Sequence, residues 1–151
     1  MQNITHDLAV SSVIANVFAS FAKQNAMHLI QATLPVVEQG RTEIHVPHWE
    51  GIEQQHGFVH GGVVGMIADS AAGYAAMTVA PENASVLTVE YKMNLLAPAD
   101  GDKLIARGSV VKAGRTLVIT KAEVFAVKAG KETLCALMQQ TIMVMQGKVE
   151  K

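Results

Sequence analysis

The chain has 151 residues, half of them hydrophobic and 17% charged, with a formal net charge of −1. That length holds one domain with a real core, and the hydrophobic share excludes a disordered chain. The charge offers no basic field for nucleic acid, and the single Cys135 excludes an intramolecular disulfide and a cysteine-based metal cluster. No basic stretch followed by an apolar one opens the sequence, so no secretory signal is expected and a cytoplasmic location is the default.

Residues 7–23 place Leu8, Val10, Val13, Ile14, Val17, Phe18 and Phe21 at helical spacing, with Asp7 as N-cap or first-turn acid. Residues 27–38 and 42–46 read as two strands joined at Gln39-Gly40, and Pro47 ends the second by removing a ladder donor. A loop over residues 48–59 carries Trp49, Gln54, Gln55 and His56.

The run from Gly61 onward is long and rich in Gly and Ala, which favours a buried helix over a strand. Residues 61–80 have the length of a membrane span. They are poor in Leu, Ile and Phe, and Asp69 near the middle would cost about 2.5–3.5 kcal/mol to insert, so no membrane span is expected. In a helix apolar all round, Asp69 must be either carefully satisfied or present for chemistry.

Pro81-Glu82-Asn83 breaks the pattern. Leu87, Val89, Tyr91, Met93 and Leu95 then alternate with Thr88, Glu90, Lys92 and Asn94, a strand with one buried face and Thr88 on the other. Strands follow over residues 104–110, 116–127 and 133–145, separated by turns at 98–102, 113–115 and 129–131. Short turns predict that these four strands form an antiparallel meander. A single α+β domain over residues 1–151 is expected, one long helix wrapped by a six-stranded antiparallel sheet.

This arrangement resembles the hotdog fold. Val59-His60-Gly61-Gly62 followed by Asp69 is similar to the HGG signature of the 4-hydroxybenzoyl-CoA thioesterase superfamily, in particular its phenylacetate-degradation type. Ala97-Pro98-Ala99 and Lys112-Ala113-Gly114-Arg115-Thr116 extend the resemblance over nearly the whole chain.

The resemblance implies hydrolysis of an acyl-CoA thioester without a cofactor. Asp69 would be the reactive carboxylate, as nucleophile or as general base on water. Gly61 and Gly62 stand where a helix N-terminus offers unpaired N–H groups to an oxyanion; otherwise they serve only close packing. Gln54 falls where relatives carry Asn or Gln, a donor to the thioester oxygen or a holder of water, unless it is an ordinary solvated loop residue. The phenylacetate type carries Asn there, so Gln54 departs from that type. Thr88 matches a Ser or Thr that places water or Asp69. On its polar face, Thr88 would have to meet another subunit.

His60 is implied as a positioning group, and His56 four residues earlier lacks a third ligand, so no metal is expected. Lys112 and Arg115 lie where relatives meet the coenzyme A arm, and would pair with phosphates if they are more than turn residues. Under these roles Gly61 and Asp69, eight residues apart, would sit about 12 Å apart along one helix. Only two antiparallel helices from two subunits bring both to one carbonyl carbon. A homodimer is therefore the minimum, and the family often pairs such dimers into homotetramers. Rival readings within the fold are an acyl-thioester hydratase or dehydratase, whose His–acid motif is absent, and a non-catalytic acyl-CoA-binding protein.

Overall fold

The computed structural model describes the backbone of residues 2–148 and side chains from residue 11. The elements run α1 (Gln2–Lys23), α2 (Asn25–Leu29), β1 (Thr33–Glu38), β2 (Arg41–Pro47), a 3₁₀ turn (Glu50–Ile52), α3 (Gly61–Met77), β3 (Ala84–Leu95), β4 (Lys103–Ala113), β5 (Leu117–Lys128) and β6 (Lys131–Gln146). The strands form one antiparallel sheet in the order β1-β2-β4-β5-β6-β3, and α3 packs against β2 to β6. This is the hotdog architecture. No described helix is long and apolar enough to cross a membrane.

Small side chains seat α3 directly on the sheet. Ala68, Ala71, Ala72, Ala75 and Ala76 are fully buried, and Ile67 beside them fills the core. Burying a side chain of that size contributes about 1.5–3 kcal/mol. On the sheet side, a Cβ at Gly108 of β4 would lie 2.3 Å from the Ala71 backbone, so only glycine allows this approach. Thr42 of β2 completes the seat by donating its hydroxyl to the Ala71 carbonyl at 2.6 Å.

One stripe of α3 stays uncovered within the chain. Gly62 and Met66 are exposed, and Asp69, Ser70, Gly73 and Met77 are half-buried along the same face. The helix therefore has an open seam rather than being surrounded on every side.

Four expectations are corrected. Residues 27–38 are not one strand, because Met27 belongs to α2 and the chain turns at Gln31 (φ 59°) before β1 begins at Thr33. Helix α1 already runs from Gln2, which puts Asp7 inside the helix and not at its cap.

The last four strands are not a simple meander either. Strands β4, β5 and β6 are consecutive neighbours, whereas β3 joins the far side of β6. The β3–β4 connection crosses the sheet end and bonds to the strands it passes. Leu96 N–H donates to the Cys135 carbonyl at 2.8 Å, and Asp102 N–H to the Val127 carbonyl at 2.7 Å.

The fourth correction concerns Thr88. A bulge interrupts the β3–β6 ladder between Thr88 and Glu90. Before it, Thr88 pairs with Ile142; after it, Tyr91 pairs with Gln140 and Met93 with Met138. Ile142, Gln140 and Met138 are all buried, so Thr88, Tyr91 and Met93 share the face toward α3. One extra residue reverses the phase of a strand. Thr88 thus points inward within its own chain, while Leu87, at 56% exposure, faces out.

Candidate active site

The half-buried Asp69 sits at mid-helix on the open seam of α3. Thr88 donates its hydroxyl to Asp69 Oδ1 at 2.7 Å. Both residues line a cavity of about 260 Å³ with Ser20, Gln24, Ser70 and Tyr74, between α1, α3 and β3. No other hydrogen-bond donor among the described residues meets Asp69 except the Gln140 amide, which also reaches Oδ1.

The start of α3 carries the other predicted residues. His60 is the N-cap, and its Nδ1 accepts from Gly62 N–H at 2.8 Å. An Nδ1 that accepts carries no proton, so this ring positions backbone. Val63 N–H and Val64 N–H both donate to the His60 carbonyl, and His60 N–H donates to the Ile52 carbonyl. Of the first amides of the helix, Gly62, Val63 and Val64 are thus satisfied locally. Gly61 N–H, one of the first-turn amides with no partner inside the helix, has no acceptor among the described residues.

Gln54 lines a separate cavity of about 440 Å³ together with Phe58, Gly61, Val64, Leu95 and Cys135. Its Oε1 accepts from His56 N–H at 2.6 Å within a tight turn closed at Gly57 (φ 79°). With Oε1 held this way, the NH₂ group is the free end of the amide. The Cys135 thiol in the same wall is pushed up in pKa by burial, which keeps it protonated and unreactive.

The two cavities share no lining residue. Within one chain the structure brings Asp69 to Thr88, and Gln54 to Gly61, but it does not bring the pairs together. Lys112 and Arg115 are exposed at the β4–β5 hairpin and line neither cavity. Among the described residues no group of three His, Cys, Asp or Glu is placed to hold a metal.

His48 ties the Gln54 loop to the β3–β4 connection. Its Nδ1 is 2.6 Å from the Gly101 carbonyl and its Nε2 2.8 Å from Glu53 Oε1.

The sequence model of the thioesterase superfamily matches residues 56–133, which include the HGG turn, Asp69 and Thr88. The chain belongs to this superfamily. A protein of Saccharolobus solfataricus that bears a provisional esterase name is 31% identical over 87 residues, 58% of this chain and 61% of that one. The chain spans about three fifths of the length of the curated relatives it matches. The crystal structure of a thioesterase family protein from Silicibacter pomeroyi is 43% identical, with a TM-score of 0.85 over 87% of this chain and 96% of that one. The E. coli PaaI protein from the phenylacetic acid degradation operon shares the fold, with a TM-score of 0.82 over 94% of this chain and 99% of that one at 17% identity.

For a member of the thioesterase superfamily, one site residue escaped the sequence reading. Gln140 on β6 is 1% exposed and reaches both Asp69 Oδ1 and Thr88 Oγ1 with its amide nitrogen. The signal was present: Ala136, Met138, Ile142 and Val144 form the inward row of β6, and Gln140 is the one amide in it.

Proposed function

We propose that the chain hydrolyses an acyl- or aroyl-CoA thioester to the free acid and coenzyme A, without a cofactor. The observation that carries this reading is the pairing of a half-buried, Thr88-held Asp69 carboxylate with a helix whose first open amide is Gly61 N–H. Membership of the thioesterase superfamily and the esterase name of a relative support hydrolysis in general.

In the proposed chemistry, the thioester oxygen sits at Gly61 N–H, where the helix dipole and a pre-placed donor favour the developing oxyanion. The Gln54 NH₂ group is the second donor, or holds the attacking water. Asp69 attacks the carbonyl carbon to give an acyl-enzyme anhydride, or removes a proton from water that attacks it. Either way the thiolate of coenzyme A leaves and is protonated.

The working unit in this reading is a homodimer at least, paired into a homotetramer. Supporting this, the open seam of α3 has Gly62 and Gly73, which let a second helix approach closely. Strand β3 is an unpaired edge at the same side of the sheet, and long open edges call for a partner. Two antiparallel seams would set the Asp69 cavity of one subunit against the Gly61 cavity of the other. Lys112 and Arg115 would then meet phosphates of the coenzyme A arm.

The test is release of free thiol from a panel of acyl- and aroyl-CoA thioesters, followed with a thiol-reactive chromophore. Turnover above the background rate is expected for at least one class, and no release from any would overturn the reading. Single turnover in ¹⁸O water tests the first route, because ¹⁸O in Asp69 requires water to attack the Asp69 carbonyl of an anhydride, whereas the general-base route puts the label only in the product acid.

A further inference from the structure

Gln140 is a buried amide that serves no backbone group. Two other buried hydroxyls do: Thr42 donates to the Ala71 carbonyl, and Thr78 donates to the Ala75 carbonyl and accepts from the Gly40 N–H. Gln140 instead accepts a long 3.5 Å contact from Thr120 Oγ1, its partner across the β5–β6 ladder. Its Nε2 donates to Asp69 Oδ1 and, at 2.7 Å, to Thr88 Oγ1. A buried polar side chain in an apolar row costs stability unless something requires it there.

We propose that Gln140 is a positioning residue that fixes both the Asp69 carboxylate and the direction in which Thr88 offers its proton. The protons available fix the arrangement. An amide NH₂ has two protons, and here one goes to each neighbour. Having accepted from Gln140, the Thr88 oxygen directs its own single proton to Asp69 Oδ1, at 2.7 Å. The flipped amide would set its oxygen against a carboxylate oxygen, so only one orientation closes the triangle.

Two donors therefore hold Oδ1, while Oδ2 has no partner among the described residues. Asp69 lines the cavity, so Oδ2 is the oxygen assigned to attack or to deprotonate water. At 1% exposure Gln140 is beyond the reach of water, which cannot take over its role. The catalytic part of this inference rests on the hydrolase reading; the positioning part rests on geometry alone.

The experiment compares Gln140→Met, which keeps the length of the side chain and removes both donors, with Gln140→Glu, which keeps the shape and sets a second carboxylate beside Asp69. Expected for Gln140→Met are a melting temperature within a few degrees of wild type, a KM within about twofold, and a kcat at least about tenfold lower, as for loss of a hydrogen bond to a charged group. Gln140→Glu is expected to be at least as slow at neutral pH. Added to Asp69→Asn, Gln140→Met should cause no further loss, because it acts through Asp69.

The readout independent of turnover is the crystal structure of Gln140→Met, in which the Asp69 carboxylate or the Thr88 hydroxyl should leave its wild-type position. An unchanged kcat, a further loss in the double variant, or an unmoved Asp69–Thr88 pair would overturn the proposal. Should the wild type release no thiol, the hydrolase reading fails alone, and the crystal structure still decides the role of Gln140. Should Gln140→Met fail to fold, Gln140→Glu decides: a kcat near wild type overturns the role, and a slowed, folded enzyme with unchanged KM supports it.

Discussion

The Thr88 hydroxyl reaches Asp69 Oδ1 at 2.7 Å because a bulge at the middle of β3 turns Thr88 toward α3. An edge strand in strict alternation could not present both Thr88 and Tyr91 to the helix. The contact should matter to turnover more than to folding. Thr88→Val keeps the side-chain shape and removes the donor, while Thr88→Ser keeps the donor. A hydrogen bond to a charged group contributes about 1.5–3 kcal/mol, so Thr88→Val should lower kcat by about 10- to 100-fold. Thr88→Ser should stay within a few-fold of wild type, and equal losses in both variants would point to packing instead.

Asp69→Asn tests the carboxylate itself. Asn is isosteric, and its oxygen can still accept from Thr88 and Gln140, so the melting temperature should be kept. Turnover should fall at least about a hundredfold, the lower range for a positioned acid–base group. Near wild-type kcat on the best substrate would remove Asp69 from the mechanism.

The Gly61 amide can be deleted without mutating a side chain. Proline is well tolerated at the first helical position, where its missing N–H has no intrahelical role. The preceding His60 has φ −59° and ψ 136°, the extended conformation that a following proline favours. Gly61→Ala keeps the amide and adds only a Cβ at 3.2 Å from Leu95 Cδ1, the far end of a flexible side chain. We expect Gly61→Pro to fold and to lose about 10²- to 10³-fold in kcat, as for loss of one oxyanion donor. Gly61→Ala should be much milder. Similar rates for the two would show that the N–H is not used.

What the sequence disclosed follows from how local each signal is. The helix through Gly61 and Asp69 is marked by its unbroken apolar run, and the strands by alternation, so the element types were legible. The position of β3 was not. Its pairing with β6 depends on where the residue 96–102 connection finds carbonyls to bond, namely at Cys135 and Val127, and no neighbouring residues announce that. The bulge was invisible for a similar reason: Val89 fits the alternation, and only the β6 register shows that it is the extra residue. Asp69 and Gly61 stood out because a lone carboxylate or a Gly pair is conspicuous in its own segment. Gln140 lies 71 positions from Asp69, and its role exists only once β6 is laid beside α3.

Away from the site, Glu43 on β2 should set part of the acid stability. Its carboxylate accepts from Arg41 at 2.6 Å, Arg107 at 3.2 Å and His45 at 3.2 Å. Burial pushes the Glu43 carboxyl up, but the His45 hydrogen bond with Arg107 and Arg41 outweighs it and holds the group below the usual carboxylate range. A depressed pKa means stability that is present above the unfolded value and lost as pH falls through the folded one. Glu43→Gln should therefore cost about 1–3 kcal/mol at pH 7, by the scale of charged hydrogen bonds. The gap to wild type should narrow as pH falls below the usual carboxylate range and Glu43 itself takes up a proton. Urea denaturation of both proteins at pH 7 and pH 3 measures it, and a gap equal at the two pH values would contradict this account.

The final prediction concerns the separation of the two cavities. Asp69 and Thr88 line one, Gln54 and Gly61 the other, and Gly61 and Asp69 stand about 12 Å apart by helical rise. A site that needs both groups within about 3 Å of one carbonyl must take them from two chains. Take Gln54→Ala and Asp69→Asn, each slow as a homo-oligomer, and let their subunits exchange after mild dissociation. In a mixed dimer one site carries both defects and the other carries neither, so activity should return to about half of wild type per mixed dimer. Were the site built within a single chain, every site would keep one defect and mixing would restore nothing. Mass-tagged subunits establish that exchange has taken place, and proven exchange without recovered activity would sink the shared-site arrangement together with the need for a dimer.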